Sequence, residues 1–420
     1  MGHPEILSDQ ELLVLVKPLR RQDRMFIPIS NTPRDYAWGS TTAIPEILGT
    51  RPSGKPEAEL WLGAAEGSPS VILNPESLGG ATNLAAWIDT DPKTALGDYA
   101  GAGRLPFLLK LLAAASPLSL QAHPTPHQAM EGYARENAAG IPLDSPLRNY
   151  KDSSAKPELI YALSEHFDAL CGFRPVDQSR TIVKAFIDAA PADTTALEGL
   201  LHHLNAGDAP RTAFEWLLSR GEGVDAVVEL VTELAPLVAG WQLETDTVTS
   251  LAHDYPGDPG VVISLLLNRV QLIAGEALYL PAGNIHAYLD GVGVELMAAS
   301  DNVLRGGLTP KHIDVPELLS VLDFRPMQVP YLRPERPAAG VEVFRPDVPD
   351  FVLVRLTAAA TWVIDGPAIL LCTAGEFAVA GAQSSATISR GESSYVTPDE
   401  GRLAFTGTGT VFLSTTGGPS

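Results

Sequence analysis

Cysteine is almost absent from this chain of 420 residues, which has only Cys171 and Cys372. Two thiols so far apart supply neither a disulfide framework nor a zinc knuckle, and they fit a reducing cytoplasm as small buried apolar residues. Basic charge is also scarce: 29 lysines and arginines face 50 aspartates and glutamates, for a formal net charge of −21. So acidic a surface repels nucleic acid and anionic membranes, and an anionic substrate needs a local basic cluster to overcome the global field. No apolar run approaches the roughly 18 residues of a spanning helix. The N-terminal ELLVLV is short and has no small-residue cleavage site behind it, unlike a signal peptide. Short-period repeats, low-complexity segments and the metal motifs CxxC and HExxH are all missing.

The chain is nonetheless long enough for two or three domains and has ample apolar content for a core. Residues 1–24 differ in character from the rest of the chain, and Met25 opens like a natural start. They read as a disordered leader or the product of an upstream translation start. Residues 25–175 are rich in proline and glycine with short apolar runs, and Leu118, Leu120 and Ala122 alternate as in a strand. Residues 176–252 read as a helical insertion. There Thr195 and Glu198 form a capping-box pattern, and Leu197, Leu200, Leu201 and Leu204 share one helix face. Val224, Val227, Val228 and Val231 repeat that pattern. Strands separated by Pro/Gly turns return over 253–330, and 331–420 is the most plainly β part. The expected fold is mainly β with an α insertion, two related barrels with helices between parts of one of them.

Three segments concentrate polar residues in apolar surroundings. In SLQAHPTPHQA, Ser119, Gln121 and His123 fall at strand spacing on one face, so an amide oxygen sits beside an imidazole. That pair suits a metal, although such spacing is also common in ordinary strands. His127 lies beyond Pro124 and Pro126, off the strand. In KPELIYAL, Glu158 is either a surface edge residue or a buried carboxylate that needs a partner such as Lys156. In GEALYLPAGNIHAYLDGVGVELMAASDNVLRGGLTPKHID, His286 stands between Ile285 and Ala287. Tyr288, Glu295, Ser300, Asp301, Asn302, Arg305 and Lys311 come within the next 25 residues, too many for a plain core segment.

These segments, with RDYAWGS (34–40), PEAELWLG (56–63) and LPFLLKLL (105–112), carry a resemblance. The chain resembles the type I mannose-6-phosphate isomerases, or phosphomannose isomerases, built on the cupin fold. The resemblance runs from about residue 29 to beyond 320, and HAYLDGVGVELMAASDNVLRGGLTPK is its most specific part. It implies two cupin-type (jelly-roll) barrels plus an all-helical domain, and one Zn²⁺ per subunit held by Gln121, His123, Glu158 and His286. Two imidazoles, a carboxylate and an amide oxygen suit zinc and leave room for water or sugar hydroxyls. The implied reaction interconverts mannose 6-phosphate and fructose 6-phosphate through an enediol.

By the same resemblance Arg305 is the electrophile for charge developing on the sugar oxygens, Glu295 a proton shuttle, and Lys156 a further catalytic cation. Lys110, Lys156 and Lys311 with Ser119 hold the anionic sugar, while Trp38, Glu59, Tyr288 and Asp301 line the pocket. The expected state is a cytoplasmic monomer acting on a small sugar phosphate, with no nucleic-acid or membrane partner. Three positions depart from the family pattern. Ala37 stands where many relatives have aspartate, HPTPH replaces a continuation with aspartate, and Ala155 stands where some relatives have histidine. These departures bear on the acid/base assignment rather than the reaction class. A metal-dependent cupin oxygenase and a non-catalytic sugar-binding protein are the rival readings. The Gln-His-Glu-His set argues against the first, and the joint presence of Arg305 and Glu295 against the second.

Overall fold

The computed structural model of the protein describes residues 25–417. The expected leader, residues 1–24, lies outside the described residues. The fold is mainly β with helices, built on two antiparallel sheets of ten and nine strands. Among the described residues neither sheet closes on itself into a barrel. The nine-stranded sheet is organised by one long strand, His286–Ala298, buried along most of its length. Its C-terminal half pairs with Phe107–Ala114 and Glu158–Ala162, and its N-terminal end pairs with Gln121–Ala122 and His166–Phe173. The strand expected around Leu118–Ala122 is therefore short, limited to Gln121–Ala122. Pro117 and Pro124 flank it, and a proline supplies no amide hydrogen to a ladder.

The ten-stranded sheet holds the strands after residue 334, as expected, together with two from the N-terminal part. Phe26–Ser30 pairs with Ser393–Val396, Phe26 opposite Val396, and Val71–Ile72 continues that edge. Assignment of the first strand to the N-terminal half thus needs correction. Phe26, Ile27 and Ile29 must be buried somewhere, and nothing local states which strand edge they choose. A shared core joins the two sheets: Leu60, Leu109 and Leu111 from one pack with Ile369, Tyr395 and Phe412 from the other.

Helices occupy Val176–Ala189, Thr195–Leu204, Arg211–Leu218, Val224–Leu234, Gln242–Asp254 and Gly260–Ile263, with a 3-10 turn at Ser264–Leu266. The helical run thus extends beyond the expected end at 252. Leu197, Leu200, Leu204 and the four valines of the second pattern are buried, while Leu201 sits at the margin of the core. Each such burial contributes about 1.5–3 kcal/mol relative to exposure, so the apolar faces decide how these short helices sit. The capping box at Thr195 does not form. Asp193 accepts the Thr195 amide at 2.9 Å, Thr194 becomes the N-cap, and its hydroxyl bonds Glu198 at 2.8 Å. The helical core is continuous with Leu120, Ala122, Ile285, Ala287 and Leu304, so the helices pack on the backs of the strands that carry the site. Cys171 and Cys372 are both buried and free.

Candidate metal centre and cavity

The strands that carry the site alternate faces, and that alternation sorts their residues. On Glu59–Leu62, Leu60 and Leu62 face the inter-sheet core while Glu59 and Trp61 line a cavity of about 520 Å³. On Phe107–Ala114, Leu109 and Leu111 face the same core while Leu108, Lys110 and Leu112 line the cavity. On the long strand, Ala287 goes into the helical core and Tyr288 lines the cavity. A strict period of two then puts Glu295 on the wrong face, since it is seven residues beyond Tyr288. The register shifts between Tyr288 and Asp290 at a bulge, followed by Gly291 at φ 122°. A β-carbon at 291 would lie 2.8 Å from Phe167 Cα, so glycine permits the close approach. One extra residue reverses the parity, and His286, Tyr288 and Glu295 all serve one cavity.

At the inner end, donor atoms of His123, Glu158 and His286 lie within 4.8 Å of one another. All three residues are buried, each 1% exposed. This rules out the surface-edge reading of Glu158. His123 Nδ1 lies 2.7 Å from the Asn302 carbonyl and His286 Nδ1 lies 3.1 Å from the Asn284 carbonyl. A carbonyl only accepts, so both rings carry their hydrogen on Nδ1 and turn a bare Nε2 inward. Those Nε2 atoms sit 3.2 Å and 3.3 Å from the two carboxylate oxygens of Glu158. Neither Nε2 has a hydrogen-bond partner, and nor does Glu158 Oε2. Lone pairs facing lone pairs in a buried site repel, and a cation among them removes the conflict; backbone carbonyls orienting ligand imidazoles are typical of metal sites. Burial pushes the His123 imidazole down to about 4 against the pull of Glu158, so it is neutral at pH 7 as a ligand must be. Burial raises Glu158, but Lys156 and His123 outweigh it and hold the carboxyl well below its ordinary range. Lys156 Nζ is 2.8 Å from Glu158 Oε1, the partner that a buried carboxylate needs. Gln121, opposite His286 in the register, also lines the cavity.

The cavity wall holds a second charged group. Lys110 Nζ lies 2.9 Å from Glu295 and 3.3 Å from Glu59, all three buried. Trp61 covers the ammonium at 5.0 Å and donates its indole N–H to Glu59 at 2.9 Å. Burial raises Glu295; Lys110 opposes this, and Glu158 and Glu59 add to it, leaving the carboxyl above its ordinary value. Burial lowers Lys110, but its two carboxylates outweigh burial and keep it protonated. The Tyr288 hydroxyl is buried without a hydrogen bond, and burial with the charge of Glu295 raises its pKa well above normal.

Arg305 and Lys311 have no carboxylate within ion-pair reach among the described residues. Burial lowers both, and Lys311 is lowered further by the Arg305 charge. Arg305 pairs in register with Gln121, one strand from the metal end, while Lys311 is exposed at the mouth. Two unneutralised cations between the metal end and the rim of a strongly acidic protein are an anion site in waiting.

The structure thus brings every sequence-predicted site residue to one place: Trp38, Glu59, Lys110, Ser119, Gln121, Lys156, Glu158, Tyr288, Glu295, Asp301, Arg305 and Lys311 line the cavity, and His123 and His286 lie behind its inner end. Asp301 stands at the exposed margin, its amide donating to Asp152 at 2.9 Å. His127 is outside, exposed beside Glu131 at 3.6 Å on the helix Pro126–Ala138. Sequence reasoning did not single out Trp61, Tyr36 or Tyr255 as cavity residues. Trp61 carried a signal, standing two residues after Glu59 on one strand. Tyr255 comes from the helical block, and the ring-orienting groups of Asn284 and Asn302 are backbone carbonyls that no side-chain pattern marks.

Comparison with known proteins agrees with this architecture. A model of the phosphomannose isomerase type I catalytic domain matches residues 26–176. The mannose-6-phosphate isomerase of Escherichia coli (strain K12) is 38% identical over 391 residues, spanning 90% of this chain and 96% of that protein. The human enzyme of that name is 33% identical over 387 residues, spanning 83% and 87%. Two crystal structures of mannose 6-phosphate isomerase, one bound with zinc and yttrium and one described as holo and zinc bound, each superpose with a TM-score of 0.83 at 34% identity, covering 94% of this chain and all of theirs. With 38% identity sustained over nine-tenths of its length and a buried ligand set at the heart of the shared fold, this chain belongs to the type I phosphomannose isomerase family.

Proposed function

We propose that the chain is a zinc-dependent aldose–ketose isomerase that interconverts D-mannose 6-phosphate and D-fructose 6-phosphate through an enediol. The carrying observation is the set of buried, partnerless donor atoms on His123, Glu158 and His286 at the inner end of a cavity. Gln121 completes the set in this reading. The zinc bound in the two neighbouring crystal structures supports the choice of metal, as does the mixed nitrogen and oxygen chemistry of the donors. When bound, Zn²⁺ supplies a fixed positive charge that orients and polarises sugar oxygens.

The protein groups then divide the work. Lys311 and Ser119 take the phosphate at the mouth, and Arg305 faces the oxygens at C1 and C2. Lys110, held between Glu59 and Glu295, serves the wall through those two ion pairs rather than by binding phosphate itself. Lys156 steadies Glu158. Glu295, its pKa raised by burial, is suited to hold a proton reversibly. In the aldose-to-ketose direction its carboxylate accepts the C2 proton while the C1 carbonyl oxygen gains a proton, giving the enediol. Return of a proton to C1 with loss of the O2 proton yields the ketose, and no electron acceptor is required. Ala37 and Ala155 offer no proton, so ring opening falls to another acid or to solution. The two sheets are read as two cupin-type units, the helical block being inserted in the first, and the working form as a monomer.

The test is a coupled assay for fructose 6-phosphate with metal analysis of the purified protein. Turnover with about one zinc per chain, abolished by chelation and restored by zinc, is the expected result. Bound iron without isomerase activity would point to an oxygenase instead, and sugar binding without turnover to a sensor.

A further inference from the structure

One wall of the cavity is used by none of this chemistry. After Asp254 the chain turns through Tyr-Pro-Gly-Asp-Pro-Gly, residues 255–260, and this turn touches two loops at the mouth. On one side Tyr255 lines the cavity and its hydroxyl donates to the Pro117 carbonyl at 2.8 Å, two residues before Ser119. On the other side Gly260 lies against Leu308. A β-carbon at 260 would come within 2.8 Å of Leu308 Cγ and Cδ2 and of Asp258 Oδ1. Asp258 Oδ1 accepts the Gly260 amide at 2.7 Å, and a β-carbon at Gly307 would lie 3.2 Å from the same oxygen.

Leu308 is buried and has φ 53°, one of two non-glycine residues in the left-handed region among those described. Such a conformation persists only where the surroundings over-determine it, and here the surroundings include Gly260. Leu308 stands between Arg305 and Lys311, so its backbone sets the direction in which Lys311 leaves the strand. The two loops are also zipped to each other, Gly306 N–H to the Leu120 carbonyl at 2.8 Å and Leu120 N–H to the Gly307 carbonyl at 3.1 Å. The turn grips the outer ends of that zipped pair.

We infer that the 255–260 turn of the helical block is a positioning element for the substrate's anionic end. By holding Pro117 and Leu308 together it sets the gap between Ser119 and Lys311. Neither contact is with His123, Glu158 or His286, so the turn governs affinity for a phosphate rather than chemistry at the metal end. The inference rests on the function proposed above, and Tyr255 and Gly260 act as positioning residues through the loops they hold.

Two variants test it in the full-length, zinc-loaded protein. Tyr255→Phe removes only the hydroxyl, and Gly260→Ala drives a methyl against Leu308. Each is expected to raise KM for mannose 6-phosphate and the inhibition constant of inorganic phosphate together, by ~3- to 10-fold, with kcat within about twofold and zinc content unchanged. If Gly260→Ala does not fold, Tyr255→Phe decides. Wild-type values of both constants overturn the inference, as does a fall in kcat at constant KM. A raised KM with unchanged phosphate inhibition also overturns it, because the turn would then act on the sugar ring. A wild-type protein that does not isomerise mannose 6-phosphate brings down the function itself, a result distinguishable from all of these.

Discussion

The two ends of the cavity are built on opposite principles. The inner end is enclosed: His123, Glu158 and His286 come from strand ends, are almost wholly buried, and the two imidazoles are oriented by backbone carbonyls. Towards the mouth the walls are loops and a two-residue strand, the cations Arg305 and Lys311 lack carboxylate partners among the described residues, and the geometry is borrowed from the helical block through Tyr255 and Gly260. Burial explains the division. Charges taken from water must be paired or must hold a metal, so the inner end suits a permanent ion. A rim that stays wet keeps unpaired cations cheaply and can exchange a substrate anion.

Substitutions at the two ends should therefore fail differently. The largest effect is expected at the inner end: His286→Ala should lose bound zinc and nearly all turnover, whereas His127→Ala, a histidine outside the cavity, should keep both. A fully metallated His286→Ala protein, measured by elemental analysis, would refute the ligand assignment. Next comes Arg305→Ala, which should lower kcat by about 10²–10³-fold with zinc content intact. Near-normal turnover would remove Arg305 from the chemistry, and loss of zinc would erase the distinction between the ends.

The smallest effect concerns pH and the metal-free protein. His123 titrates near 4 when folded, below the ordinary 6.5. The unfolded chain thus binds the proton first, and stability is lost as pH falls from about 6.5 towards 4. Glu158, also depressed, extends the loss below 4.5 as it is protonated. Thermal melting of chelator-treated protein across this range should show that slope, and His123→Gln should flatten its upper part. A melting temperature independent of pH between 6.5 and 4 would mean that His123 is not held neutral.

Much of this was legible in the residues. Amphipathic spacing announced the helices, and Leu197, Leu200 and Val227 are buried as their period requires. Dense polar residues within VELMA-type apolar runs announced the site, and the long 286–311 motif carried the family. The helix start slipped by one residue because Asp193 competes for the amide that Thr195 presents. The first strand, Phe26–Ser30, joined a partner more than 360 residues away, a choice no local pattern encodes.

By itself the sequence determined which residues are polar where a core is expected, and hence which ones demand a partner or an ion. Only the tertiary structure decided that they meet. His286 and Glu295 are nine residues apart on one strand, an odd spacing that sends them to opposite faces. The bulge at Tyr288–Asp290 restores them to one cavity. A period of two belongs to the strand alone, but a bulge exists only in relation to the neighbour it fails to match, here His166–Phe173.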